Sequence, residues 1–142
     1  MIRYRTITTH EPEYLQEKKL RDRVLRRPLG LHLSLNDLRG EEDQVHIIAQ
    51  DDDSHKVVGC VLVAFTGGKA KARQLAIDER WRGKGIGREL MRLAEQAVRD
   101  RKEDRLMLHG RVAAVPFFER LGFTVTSEVF TEVTIPHVGL EK

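Results

Sequence analysis

Between residues 70 and 102 the spacing of apolar residues changes period, and that change restricts the folds open to this chain. Ala70–Ile77 reads as a strand. From Gly85 to about Lys102, Ile86, Leu90, Leu93, Ala94 and Ala97 recur at helical spacing, with Arg88, Arg92, Glu95, Gln96 and Arg99 on the wet face. Arg105–His109 reads as a strand again. A strand, a helix and a strand in that order imply a parallel crossover within one sheet. Ahead of it, Val45–Gln50 and the apolar run Lys56–Thr66 lead into Ala70–Ile77 through a polar turn (Asp51–His55) and Gly67-Gly68. That is an antiparallel meander. The fold class expected is therefore α/β: a mixed, mostly antiparallel central sheet with helices on both faces.

The flanking segments extend this frame. Ile2–Thr8 alternates and reads as a first strand. Glu13–Leu25 follows Pro12 as a polar helix with Leu15, Leu20 and Val24 on one face, and Pro28-Leu29-Gly30 breaks it. Ser34 is placed to cap a short helical turn, and Glu41-Glu42-Asp43 reads as a solvated loop. Val115–Leu121 reads as a short helix stopped by Gly122, and Thr124–Val129 and Val138–Glu141 as the last strands. A length of 142 residues fits a single domain over 1–142. A net charge of +3 does not favour non-specific nucleic-acid binding. Arg21, Arg23, Arg26 and Arg27 read as the solvated face of a helix, without an aromatic stacking platform. No apolar run suits a membrane span, and the opening residues lack an apolar leader, so a cytoplasmic setting is expected. The single cysteine, Cys60, allows no intrachain disulfide and reads as core. No His/Cys spacing suggests a metal site.

Arg82-Gly83-Lys84-Gly85-Ile86-Gly87 lies between the strand and the amphipathic helix. Glycines there let a ligand approach main-chain N–H groups, and the first N–H groups of a helix are unpaired at the positive end of its dipole. A diphosphate suits such a place. Between Lys69 and Arg92 eight basic residues meet only three acidic ones, which concentrates positive charge where an anion would sit. A dinucleotide-binding loop would need a third glycine where Leu90 stands, and a nucleotide-hydrolase loop would need a Gly-Lys-Ser/Thr ending that is absent.

The block QLAIDERWRGKGIGRELMRLAEQAV, residues 74–98, resembles the GCN5-related N-acetyltransferase (GNAT) family, and AVPFFERLGF, residues 114–123, is similar to that family's later helix and aromatic ending. The ending EVFTEVTIPHVGLEK resembles the ElaA-like subgroup. The resemblance implies acetyl-CoA as cosubstrate, with no metal. It implies pantetheine pairing along Leu75, Ala76 and Ile77, one N–H there polarising the thioester carbonyl. It implies a pyrophosphate held by Arg82, Gly83, Lys84, Gly85, Ile86, Gly87 and Arg88. Phe118 falls in the cofactor site, at the position where the family usually carries a tyrosine acid, and phenylalanine cannot donate a proton.

Catalysis in such a family is direct attack of an amine on the thioester, which needs a base. The candidates are His137, His109 and Glu132, with Glu128 beside them; histidine titrates near neutral pH. His32, His46 and His55 are weaker candidates. The acceptor expected is a small-molecule or protein amine, its pocket shaped in part by residues 25–44. The alternative function is a catalytically silent acyl-CoA-binding or regulatory module. A homodimer through the C-terminal strands is implied by the resemblance alone.

Overall fold

The computed structural model describes residues 1–142. Its strands are β1 (Ile2–Ile7), β2 (Val45–Asp51), β3 (Val57–Thr66), β4 (Lys69–Ile77), β5 (Leu106–Arg111), β6 (Thr124–Val125), β7 (Phe130–Glu132) and β8 (Ile135–Glu141). They form one sheet in the order β1-β2-β3-β4-β5-β8-β6, with β7 paired to β8. Every pairing is antiparallel except β4 with β5. The helix α3 (Ile86–Asp100) supplies the crossover between those two strands, as the change of period predicts. Its buried stripe is Ile86, Leu90, Met91, Ala94 and Val98, so Met91 and Val98 join the face on which Leu93 and Ala97 are only partly covered.

The sheet buries a different cluster on each face. Under α3 and the short α4 (Val115–Arg120) lie Ile47, Ala49, Val61, Val63, Ala70, Ala72 and Leu108, met by Phe118 of α4. Under α1 (Glu13–Arg21) lie Ile7, Ile48, Val57, Cys60 and Ala76, met by Leu20 of the helix. Each fully buried aliphatic side chain contributes roughly 2 kcal/mol. Cys60 is buried core, as its apolar surroundings in sequence suggest.

Strand β4 is irregular where it matters. Cys60 pairs with Ala76 but Leu62 pairs with Arg73, so β4 carries one extra residue, and Gln74 takes φ +57. This bulge reverses the alternation of side chains. Ala72 faces the α3 side and Ala76 the α1 side, and the residues between and after them, Leu75 and Ile77, pack against the α3 cluster. Pairing of β4 with β5 ends at Ala72 and Leu108. From Arg73 to Ile77 the strand has a ladder partner on its β3 side only, and the sheet splays open.

Several local expectations are corrected. Helix α1 is regular only to Arg21; a π-type turn (Asp22–Arg26) and a 3₁₀ turn (Arg27–Leu29) follow, closed by Gly30 at φ +74. Leu15 is 55% exposed, and the inward face of α1 is Glu17, Leu20 and Arg21 instead. Ser34 does cap the short α2 (Leu35–Leu38), in a reciprocal arrangement with Asp37. The stretch expected as one strand over Thr124–Val129 stops at Val125, where Ser127 Oγ accepts the Gly139 N–H at 2.7 Å. The chain then forms the β7–β8 hairpin through Val133 (φ +43) and Thr134 (φ +71). Two β-branched residues in left-handed conformation give no turn signal in sequence, which is why the hairpin was not expected.

The largest correction concerns charge. Glu41 and Arg21, read as solvated, are buried, and so is Arg26. Arg21 pairs with Glu17 at 3.1 Å and with both oxygens of Glu41. His46 lies between them: Nδ1 donates to Glu17 at 2.9 Å and Nε2 to the Glu41 carbonyl at 2.7 Å. Both ring nitrogens face only acceptors, so both carry protons. Burial lowers the pKa of His46, but the Glu17 carboxylate outweighs it and the net shift is upward. Glu41 shows the mirror case: burial raises its pKa, and Arg21 more than offsets this, leaving it lowered. Glu41 also accepts from the Tyr14 hydroxyl at 2.8 Å and from Arg73 at 3.3 Å. Every buried side-chain nitrogen and oxygen has a partner.

Candidate active site

The splay between β4 and β5 opens a cleft of about 700 Å³. The Arg82–Gly87 turn and the start of α3 form one end. Gly83 and Gly85 both adopt left-handed conformation, at φ +74 and +83, and a Cβ on either would meet no atom within 4 Å. Backbone geometry therefore selects glycine there, and crowding does not. Gly85 is the N-cap of α3 and no side chain caps the helix, which leaves its first N–H groups and the positive end of its dipole free. Gly87 is selected differently: a Cβ there would sit 3.3 Å from Phe117.

Of the residues expected to hold a cofactor, Leu75, Ile77, Arg82, Gly83, Gly85, Ile86, Gly87, Arg88 and Phe118 all line this cleft. Two do not. Ala76 points to the α1 side as a result of the bulge, so only its backbone belongs to the exposed edge of β4. Lys84 lines a neighbouring depression with Arg23 and Arg80. Phe118 packs edge-on to Phe117 and Phe123 and leans on Gly110, where a Cβ would come within 3.2 Å of its ring. A ring wedged in this way fixes the floor of the cleft.

The bulge that shapes this edge is held from behind. Arg21 Nε donates to Gln74 Oε1 at 3.1 Å, so the buried ion-pair network reaches the residue in left-handed conformation. Cys60 Sγ lies 3.5 Å from the Gln74 carbonyl, and burial pushes its thiol pKa well up, so it stays protonated and can donate there.

At the other end the three candidate bases converge. His109 comes from β5, Glu132 from β7 and His137 from β8, and all line the cleft. His109 Nδ1 lies 2.8 Å from Glu132 Oε1. That contact requires the proton on Nδ1, so Lys71, whose Nζ is 3.4 Å away, acts as a neighbouring charge. His137 Nδ1 donates to the Ile135 carbonyl at 2.9 Å, which leaves the lone pair of the neutral ring on Nε2, 3.8 Å from Glu132 Oε2. Phe130 packs edge-on against His109 and stacks on His137. The other candidate, Glu128, is exposed and outside the cleft. Glu17, Glu41 and His46 lie together, and Arg21 pairs with both carboxylates and supplies the cationic charge there. His32 and His55 lie outside the cleft.

Sequence reasoning missed Gln74 as a lining residue in its own right, and also Trp81, Arg111 and Phe117. Of residues 25–44, expected to shape the acceptor pocket, only Leu25 and Arg26 line the cleft.

The family model for the acetyltransferase (GNAT) domain matches residues 32–142. A Bacillus subtilis (strain 168) protein named as an acetyltransferase is 31% identical over 100 residues, 70% of this chain and 67% of its own. The uncharacterized N-acetyltransferase YjcF of the same organism is 29% identical over 103 residues, 72% of each chain. Among solved structures, Escherichia coli ElaA superposes with a TM-score of 0.85 at 20% identity, covering 100% of this chain and 99% of that one. An acyl-CoA N-acyltransferase from Pseudomonas aeruginosa gives 0.84 at 20% identity, with the same coverage. The splayed sheet, the glycine turn at the helix N-terminus and these likenesses agree: the chain belongs to the GNAT family of acyl-CoA N-acyltransferases.

Proposed function

We propose that this protein transfers the acetyl group of acetyl-CoA to a primary amine by direct attack within the β4–β5 cleft. The observation that supports it most is the convergence of His109, Glu132 and His137 at one end of a cleft whose other end is an uncapped helix N-terminus. The residues suit acetyl-CoA. Gly83 and Gly85 keep the turn open, the α3 N–H groups and Arg82 and Arg88 offer donors to a pyrophosphate, and the free edge of β4 offers main-chain groups to the pantetheine amides.

His137 is the first choice of base. Its neutral ring keeps a lone pair on Nε2, and Glu132 stabilises the imidazolium formed when it takes the ammonium proton. His109 holds the other oxygen of Glu132 and fixes the carboxylate between the two rings. The freed amine then bonds to the thioester carbon, and an N–H on the β4 edge stabilises the developing negative charge. The nitrogen gives its second proton to solvent, and the carbon–sulfur bond breaks with its electron pair leaving on sulfur. Phe118 has no proton to give, so the thiolate takes one from solvent.

A silent binding module would share the turn and the cleft but would not need three ordered basic groups on separate strands. Amine-dependent thiol release across a panel of amines tests the reading. Turnover that needs both amine and acetyl-CoA is expected; affinity for acetyl-CoA with no turnover on any amine would assign the silent alternative.

A further inference from the structure

We propose that Arg111 is an anion-recognition residue that selects an acceptor amine carrying a carboxylate within a few bonds of its nitrogen. The proposal rests on the acetyl-transfer reading and names the substrate class for it. Arg111 ends β5, beyond the last β4–β5 pair, and lines the cleft. It donates to the Leu25 carbonyl at 3.0 Å and forms no ion pair. Two carboxylates on nearby elements are already engaged with other partners. Asp37 takes the neighbouring Arg26 through both oxygens, at 2.9 and 3.3 Å, and Glu132 is held by His109. Burial and the adjacent Arg26 both work against the charge of Arg111. A partly buried guanidinium with spare donors and no counter-charge is a place for an anion, and its planar fork matches a carboxylate.

The neighbours set the distance. Arg111 is the cross-strand partner of His137, and directly opposed residues project from the same face with Cβ atoms about 5 Å apart. An amine delivered to His137 therefore brings its own carboxylate to Arg111 when only a few bonds separate the two groups. Free amino acids have that shape, and a lysine side chain within a protein does not. Val24, Leu25 and Val133 line the adjoining wall and leave apolar surface for the rest of the acceptor.

The test uses matched pairs of a free amino acid and its amide, assayed by thiol release at saturating acetyl-CoA and by titration calorimetry on the CoA-bound protein. Wild type is expected to favour the free acid by about tenfold or more in kcat/KM, because a site built to bind a charged group rejects the analogue lacking it. In Arg111→Gln that ratio collapses towards one through KM, Arg111→Lys recovers part of it, and acetyl-CoA affinity stays within about twofold. Turnover with no acid-over-amide preference in wild type overturns the proposal and leaves the acetyl-transfer reading intact. A loss of acetyl-CoA affinity in Arg111→Gln also overturns it, by assigning the residue to the cosubstrate. Carboxylate-dependent binding without turnover supports the anion site and removes the transfer reading.

Discussion

The two sides of the Gln74 bulge differ in how they treat charge. Behind it, Glu17, Arg21, Glu41 and His46 are buried and fully paired. In front of it, the α3 N-terminus is uncapped, Arg111 has no carboxylate, and Glu132 is shared between two histidines at the edge of a cleft. The paired side gains nothing from a ligand and fixes geometry. The open side holds donors and bases whose natural partners are not in the chain. Gln74 joins them, gripped by Arg21 from behind and lining the cleft in front. A bulge so held can keep a main-chain donor in place while the site is empty, the preorganisation that electrostatic catalysis requires.

The largest effect should come from breaking the paired side. Arg21→Met removes the cation shared by Glu17 and Glu41, leaving the buried carboxylates only His46 and the more exposed Arg73. Loss of one partner of a buried pair costs about 3–5 kcal/mol. The urea midpoint should fall accordingly, and a midpoint near wild type would show that the network is not closed as described. On the open side, His137→Gln should keep its fold and lower kcat about 100-fold, within the range for a general base. An unchanged rate would move the role to His109 or Glu132.

A smaller effect is expected from Gly87→Ala, whose Cβ would press on Phe117 at 3.3 Å. The ring must give by a few tenths of an ångström, so acetyl-CoA affinity should fall about fivefold, on the order of 1 kcal/mol. Weaker still is the pH signature of the paired side. The pKa of His46 is raised on folding, so its contribution to stability is full below its ordinary value of about 6.5 and is lost as pH rises through the raised one. Glu41 has a lowered pKa, so its contribution is present above about 4.5 and is lost as pH falls. Unfolding midpoints followed from neutral to alkaline pH should decline in wild type with a component absent from His46→Gln.

The open side was the legible one. Glycines at Gly83 and Gly85 are demanded by backbone conformation, so they stand out in sequence, and the periodic stripe from Ile86 to Val98 marks the helix they begin. The histidines and Glu132 were found as chemical types, although their meeting depends on the β7–β8 hairpin, whose Val133-Thr134 turn carries no turn residue. The paired side was illegible for a different reason. Glu17, Arg21 and Glu41 look like any helix or loop charges, because only their mutual neutralisation lets them enter the interior. Glu17–Arg21 is an ordinary i,i+4 pair, and the contacts that close the network, Arg21–Glu41 and Glu17–His46, span 20 and 29 residues and leave no local pattern. The bulge was hidden likewise: one extra residue in β4 is invisible in an alternating strand, yet it sends Ala76 inward and Leu75 and Ile77 to the cleft side.

The central claim is that the open side of the bulge awaits acetyl-CoA at the glycine turn. Titration calorimetry of acetyl-CoA into wild type and Gly85→Asp tests it most directly. At φ +83 an aspartate strains the turn and sets a negative charge beside the helix N-terminus where the pyrophosphate would lie. Wild type should bind, and Gly85→Asp, at an unfolding midpoint within a few degrees of wild type, should bind at least about 100-fold more weakly. No acetyl-CoA affinity in wild type, or equal affinity in the two proteins, would contradict the account.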